Sequence, residues 1–260
     1  MRSFVTEHNE SDLSDHPYSD EIPEKIAVVS DLHNVLYGKR NEKLLQAIKD
    51  EKPNVIVIPG DLVTDKSPKN KAAYTFLVDL AEIGIPVYYS LGNHEEKFRK
   101  HDNERYRKYV SSIRKLGIHY LDNAFEAYSK HVSFGGLTIP YDCYRKGTKT
   151  HRLTVQDVHN CIPNIPDGLK LVLCHNPVWF PVYEQCEYDI VFAGHLHGGI
   201  VRLPLLGGVI SPQWRFFPKY DAGKFEIGKS TMFVSRGLGA HTIKFRFNNK
   251  PELMIVHLKH

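Results

Sequence analysis

The run Lys25-Ile26-Ala27-Val28-Val29-Ser30-Asp31-Leu32-His33 decides how this chain folds. Its apolar, β-branched first part reads as a strand buried on both faces, and the strand ends on an aspartate and a histidine. The pattern recurs. Residues 55–59 read as a second buried strand ending in Gly60-Asp61, and 86–91 as a third ending in Gly92-Asn93-His94-Glu95. Helices fit the intervals. One is 41–52, with Leu44, Leu45 and Ile48 at helical spacing and Pro53 as its stop; another is 69–83, with Gly84 as C-cap. A charged helix is expected at 98–116, closed by Gly117. Alternating strands and helices predict an α/β fold with a largely parallel sheet segment. Ligands gather beyond the carboxyl ends of such strands. Here three successive strand ends carry groups able to bind metal or move a proton.

The second half continues the theme. Short strands at 118–121, 125–132 and 137–139 suggest a second sheet, and 154–161 a short helix capped by Thr154. A strand at 170–174 ends in His175. Another at 188–193 ends in Gly194-His195-Leu196-His197-Gly198-Gly199. Further strands are expected at 232–235, 243–247 and 253–258. No repeat or linker divides the chain, so 25–260 reads as one domain, and 1–24 as a polar N-terminal arm or edge strand.

Composition narrows the function. The formal charge is only +4, with 25% charged and 42% hydrophobic residues. There is no Lys/Arg block, so no specific nucleic-acid binding is expected. The four cysteines form no C-x-x-C pair, which excludes a zinc knuckle and a thioredoxin-type motif and suits a reducing compartment. No apolar run approaches the ~20 residues of a membrane span. The expectation is a cytoplasmic protein, or a membrane-associated one if an anchor precedes this sequence.

The polar strand ends together offer Asp31, His33, Asp61, Asn93, His94, His175, His195 and His197. These are too many ligands for one ion. Two cations held ~3.5–4 Å apart are a standard solution for phosphate-ester hydrolysis. Such a pair needs a bridging anion, and Asp61 in its glycine-led turn is the natural candidate. The mixed nitrogen and oxygen set suits manganese, iron, zinc, nickel or cobalt better than magnesium alone.

In these residues the chain resembles the calcineurin-like metallophosphoesterases, whose motifs run D-x-H, G-D, G-N-H-[DE], an isolated H and G-H-x-H. All five parts are present in order. The resemblance implies an α/β/β/α sandwich of two mixed sheets flanked by helices. It implies that Asp31, His33 and His197 hold the first of two divalent metal ions, that Asn93, His175 and His195 hold the second, and that Asp61 bridges. His94 would be the general acid, protonating the oxygen that leaves as a metal-bridging hydroxide attacks phosphorus in line. Segments after the last motif, such as Ser235-Arg236-Gly237-Leu238-Gly239, look like the bacterial YkuE-like or YaeI-like phosphodiesterase branch. Relatives there include membrane-facing enzymes that hydrolyse the pyrophosphate of UDP-2,3-diacylglucosamine.

The expected partner is therefore a phosphoester or pyrophosphate substrate. Arg202, Arg236 and Arg246 could pair with its phosphate, with Arg202 preferred, and Trp214 and His241 are further substrate candidates. The apolar loop 203–220 could hold an apolar leaving group or touch a membrane. Glu95 reads as a residue that orients the His94 turn. The alternative of another class is a metal-binding scaffold without activity; the presence of all seven ligand positions and of His94 argues for chemistry.

Overall fold

A computed structural model describes residues 3–64, 70–145, 151–203, 206–210, 216–239 and 246–260. The strands are β1 (Val5–Asp12), β2 (Lys25–Val28), β3 (Val55–Ile58), β4 (Val87–Ser90), β5 (His119–Leu121), β6 (Ala124–Ala127) and β7 (Val132–Leu137). They continue with β8 (Leu169–Cys174), β9 (Ile190–Ala193), β10 (Val201–Leu203), β11 (Gly207–Ile210), β12 (Gly223–Ile227), β13 (Ser230–Val234) and β14 (Glu252–Lys259). The helices are α1 (Glu42–Glu51), α2 (Lys71–Ala81), α3 (Asn93–His101), α4 (Asn103–Lys115), α5 (Val155–Cys161) and α6 (Phe180–Gln185).

Two six-stranded sheets form, ordered β1-β14-β2-β3-β4-β5 and β12-β13-β9-β8-β7-β6. In the first, β2, β3, β4 and β5 run parallel, as the β-α-β pattern predicts, while β14 lies antiparallel to β2. In the second, β7, β8, β9 and β13 are parallel, with antiparallel β6 and β12 at the edges. Both sheets are thus mixed. Three apolar layers hold them. Leu44, Ile48, Phe76, Leu77 and Leu80 from α1 and α2 pack on the outer face of the first sheet. Val28, Val57, Phe134, Leu171 and Phe192 fill the space between the sheets. Phe180, Tyr183 and Val158 from α5 and α6 cover the second sheet's outer face. The result is the α/β/β/α sandwich, in which central strands such as β3 and β9 are buried on both faces as their unbroken apolar runs require, while β1, β6 and β12 at the edges are partly exposed.

Several elements differ from expectation. The helix expected at 98–116 is two helices. The first starts at Asn93, because the Glu95 carboxylate accepts the Gly92 N–H at 2.9 Å and so caps it. It ends at Asp102 (φ −150°, ψ 77°), whose carboxylate caps α4 by accepting the Arg105 N–H at 3.1 Å. The strand expected at 125–132 is the hairpin β6–β7, turning where the Tyr128 N–H bonds the Val132 carbonyl. β7 runs on through Gly135-Gly136, which disguise it as a turn. At Gly136 the sheets touch: a Cβ there would lie 2.5 Å from both Cβ and the carbonyl oxygen of Leu121 in the other sheet. Part of the loop expected at 203–220 is the β10–β11 hairpin, and β12 was not anticipated. Of the strand expected at 243–247, residues 243–245 lie outside the described residues; Phe247 makes an isolated bridge to Val201. At the N-terminus, β1 extends the first sheet by pairing parallel to β14. Among the described residues, no helix is long and apolar enough to cross a membrane.

Candidate metal centre

The strand ends converge through tight turns. Asp31, His33, Asn34, Asp61, His195 and His197 all have left-handed backbone (φ 51°, 47°, 58°, 54°, 68° and 52°). Non-glycine residues there cost of order 1 kcal/mol or more each, and such strain collects at functional sites. The turns after β2 and β3 lock together: the N–H groups of Asp31, His33 and Asn34 donate to the carbonyls of Gly60, Asp61 and Leu62 at 3.0–3.1 Å. Gly60 (φ 108°) lets the third loop join them, since a Cβ would meet the Gly92 nitrogen at 2.4 Å.

Glu95 ties this arrangement down. Its carboxylate, fully buried, accepts the N–H groups of Asp61 and Gly92 at 2.9 Å, Leu62 at 2.9 Å and Val63 at 3.2 Å, and the Tyr89 hydroxyl at 2.7 Å. It orients the Asp61 loop as well as the His94 turn.

Asp61 is central. One carboxylate oxygen accepts the His94 N–H at 2.8 Å; the other lies 3.1 Å from His175 Nε2 and 3.9 Å from His33 Nε2. Asp31 accepts Ser30 Oγ–H at 2.6 Å and the His195 N–H at 3.1 Å through Oδ2. Its Oδ1 faces the Nε2 atoms of His197, His33 and His175 at 3.5, 3.8 and 3.9 Å. Burial pushes the Asp31 carboxyl up to about 6 against the pull of His175. Burial also opposes charge on Asp61, but the neighbouring His175 and His94 outweigh it and hold that carboxyl well below the usual range. Burial disfavours charge on His175 too, yet Asp61, then Asp31, raise it to about 9. The His175 ring is set by Pro59: Nδ1 lies 2.8 Å from that carbonyl, which only accepts, so Nδ1 keeps its proton and Nε2 faces the carboxylates.

Three sets of donor atoms lie within 4.8 Å of one another: Asp31, His33 and His197; His33, Asp61 and His94; Asp61, His175 and His195. His33 links the first two sets and Asp61 the last two. Asn93 Oδ1, on the first turn of α3 beside His94, is buried with no hydrogen-bond partner among the described residues. A buried carbonyl oxygen without a donor is costly unless something electropositive meets it. Two carboxylates, imidazoles and this oxygen fit a pair of divalent cations.

The substrate candidates fare differently. Arg202 donates to Asp221 at 2.7 Å and to the Gly198 carbonyl at 3.2 Å, so it braces the hairpin against the metal motif rather than presenting a free cation. Trp214 and His241 lie outside the described residues. Two neighbours of the cluster have little sequence signal. The Tyr144 ring meets His195 edge-on at 5.1 Å, from a segment far from every motif. Arg246, the less favoured arginine, lies 3.1 Å from His197 Nδ1. Beside the motif, Leu203, Leu206, Phe216, Phe217 and Phe247 are exposed; they are five of the seven exposed large hydrophobics among the described residues.

Comparisons with known proteins agree with this geometry. The chain is 27% identical to the phosphodiesterase YaeI of Escherichia coli K12 over 240 residues, covering 91% of this chain and 82% of that protein. It is 24% identical over 253 residues to the uncharacterized metallophosphoesterase YkuE of Bacillus subtilis 168, covering 90% and 79%. The solved structure of TT1561 from Thermus thermophilus shares the fold, with a TM-score of 0.55 at 13% identity over 84% of this chain and 92% of that one. The family model described as calcineurin-like phosphoesterase matches residues 24–199, which include all five motifs; the chain belongs to that family and is a metal-dependent phosphoester hydrolase.

Proposed function

We propose that the protein is a two-metal phosphodiesterase in which Asp31, His33 and His197 hold one cation, Asn93, His175 and His195 hold the other, and Asp61 bridges them. One observation carries this reading: ligand-type side chains from both sheets meet around Asp61, delivered by the ends of β2, β3, β4, β8 and β9. Bound there, the cations supply Lewis acidity toward phosphate oxygens and lower the pKa of a water. The chain supplies the rest. Glu95 and the locked turns fix the ligands before substrate arrives, so little reorganisation is needed during reaction. His94, held by the bond from its N–H to Asp61, holds the proton that the leaving oxygen takes as the bond to phosphorus breaks.

The test is turnover of bis-p-nitrophenyl phosphate against p-nitrophenyl phosphate with manganese, zinc and nickel. Turnover of the diester is expected, and toward a diester that releases an alkoxide rather than p-nitrophenolate His94→Ala should lower kcat by ~100-fold or more with metal content retained. Loss of metal in that variant would refute the acid role. Metal bound without turnover of either ester would favour the scaffold.

A second reading, a lipid-linked pyrophosphate such as UDP-2,3-diacylglucosamine, is favoured by the five exposed apolar side chains. They stand on the hairpin and chain segment joined to the metal motif, where Ile200 bonds both Ile210 and Phe247. An acylated substrate or a membrane surface would cover them. Preference for the acylated over the soluble substrate in the same assay would select this reading.

A further inference from the structure

Arg246 reaches the side of His197 that faces away from the carboxylates. Its Nη2 lies 3.1 Å from His197 Nδ1, while the same guanidinium donates to the carbonyls of Arg236, at 2.8 Å, and Gly239. A guanidinium has donors only, so the ring nitrogen it meets must accept. The proton of the neutral ring then sits on Nε2, which faces Asp31 Oδ1 at 3.5 Å and His33 Nε2 at 3.3 Å. A cation held by His197 through Nε2 needs that lone pair. The ring proton would then move to Nδ1 and confront the N–H of Arg246. His175 shows the opposite arrangement, with the Pro59 carbonyl as acceptor at Nδ1 and Nε2 directed at the carboxylates.

We propose that Arg246 competes with the first cation for His197, holding the imidazole in the tautomer that cannot ligate through Nε2 and so weakening that one site. The guanidinium charge beside a bound cation acts in the same direction. A ligating histidine ordinarily gives its second N–H to a carboxylate, carbonyl or water, and this arginine reverses that rule. The inference rests on the assignment of Asp31, His33 and His197 to one cation.

Calorimetric titration of the metal-stripped full chain with manganese tests it. Arg246→Met should tighten one of two cations by ~10-fold or more and leave the other unchanged. Arg246→Gln, whose carbonyl accepts from Nδ1–H, should do at least as much. Unchanged affinities in both variants would overturn the arginine's role. His197→Ala keeping two cations at unaltered affinity would instead overturn the site assignment. Arg246 is buried against two carbonyls, and its replacement can cost the fold, so a second measurement uses the unaltered chain. NMR of nitrogen-labelled histidines should show the His197 proton on Nε2 without metal and on Nδ1 with saturating zinc. A proton on Nδ1 in the metal-free chain would overturn the proposal.

Discussion

Glu95 has no part in the proposed chemistry, yet the Asp61 and His94 loops both hang on its carboxylate. It meets four backbone N–H groups that have left water, together with the Tyr89 hydroxyl. Burial, then the charge of Asp61, pushes its carboxyl up, so its place depends on those donors. Glu95→Ala would leave all four N–H groups without their acceptor, and each buried orphan costs ~1–3 kcal/mol. The expected outcome is a loss of at least ~3 kcal/mol in urea denaturation together with a fall in bound manganese. Near-unaltered stability would mean that Glu95 is not what holds the loops. At this scale the sequence was readable where chemistry is local. Asp31 with His33, and His195 with His197, stand two apart, and each pair ends an apolar run. Arg246 was not readable in this way, since 49 residues separate it from His197 and only the fold brings them together. Arg202 misled for the complementary reason: its nearness in sequence to the motif says nothing of Asp221, the carboxylate that takes it.

Elements were legible in proportion to their apolar pattern. β3 and β9 are unbroken apolar runs, β2, β4 and β8 are apolar but for Lys25, Ser90 and Lys170, and burial on both faces is what makes such runs necessary. α3 hid because its first turn carries Asn93, His94, Glu95 and Glu96, polar residues that are buried by the site rather than exposed to water. β7 hid behind Gly135-Gly136. Gly135 makes room for the Phe125 ring of β6, and Gly136 serves the meeting of the two sheets, a requirement that no window of the sequence contains. Gly136→Ala makes this measurable. The added methyl would also lie 2.7 Å from Ser90 Oγ, so β4 and β5 must both give way. Overpacking of this kind costs ~1–3 kcal/mol. The urea midpoint should fall with the slope unchanged, because the denatured chain exposes the same surface. A midpoint equal to that of the unaltered chain would show that the sheets are not in firm contact there.

At the scale of the whole molecule, the proposed centre joins the two sheets. Asp31 and Asp61 follow strands of the first sheet, while His175, His195 and His197 follow strands of the second. Cations bound to both groups would stabilise the native fold by mass action, about 2.7 kcal/mol per site at a hundred times Kd. For a chain of 260 residues that is a rise in Tm of ~5 °C or more. The rise has a defined pH dependence. Without metal, His175 carries a proton up to about 9, above its ordinary 6.5. A group raised in the folded state contributes stability that is full below 6.5 and is lost as pH climbs through 9. That same proton must leave before a cation can take Nε2. Raising the pH from 6.5 toward 9 therefore weakens the metal-free fold and strengthens metal uptake. Melting curves in saturating manganese and in excess EDTA should separate progressively across this range, and His175→Ala should abolish most of the separation. Curves that coincide at every pH would show that no cation joins the sheets. A constant separation would show that His175 holds no proton for the metal to displace.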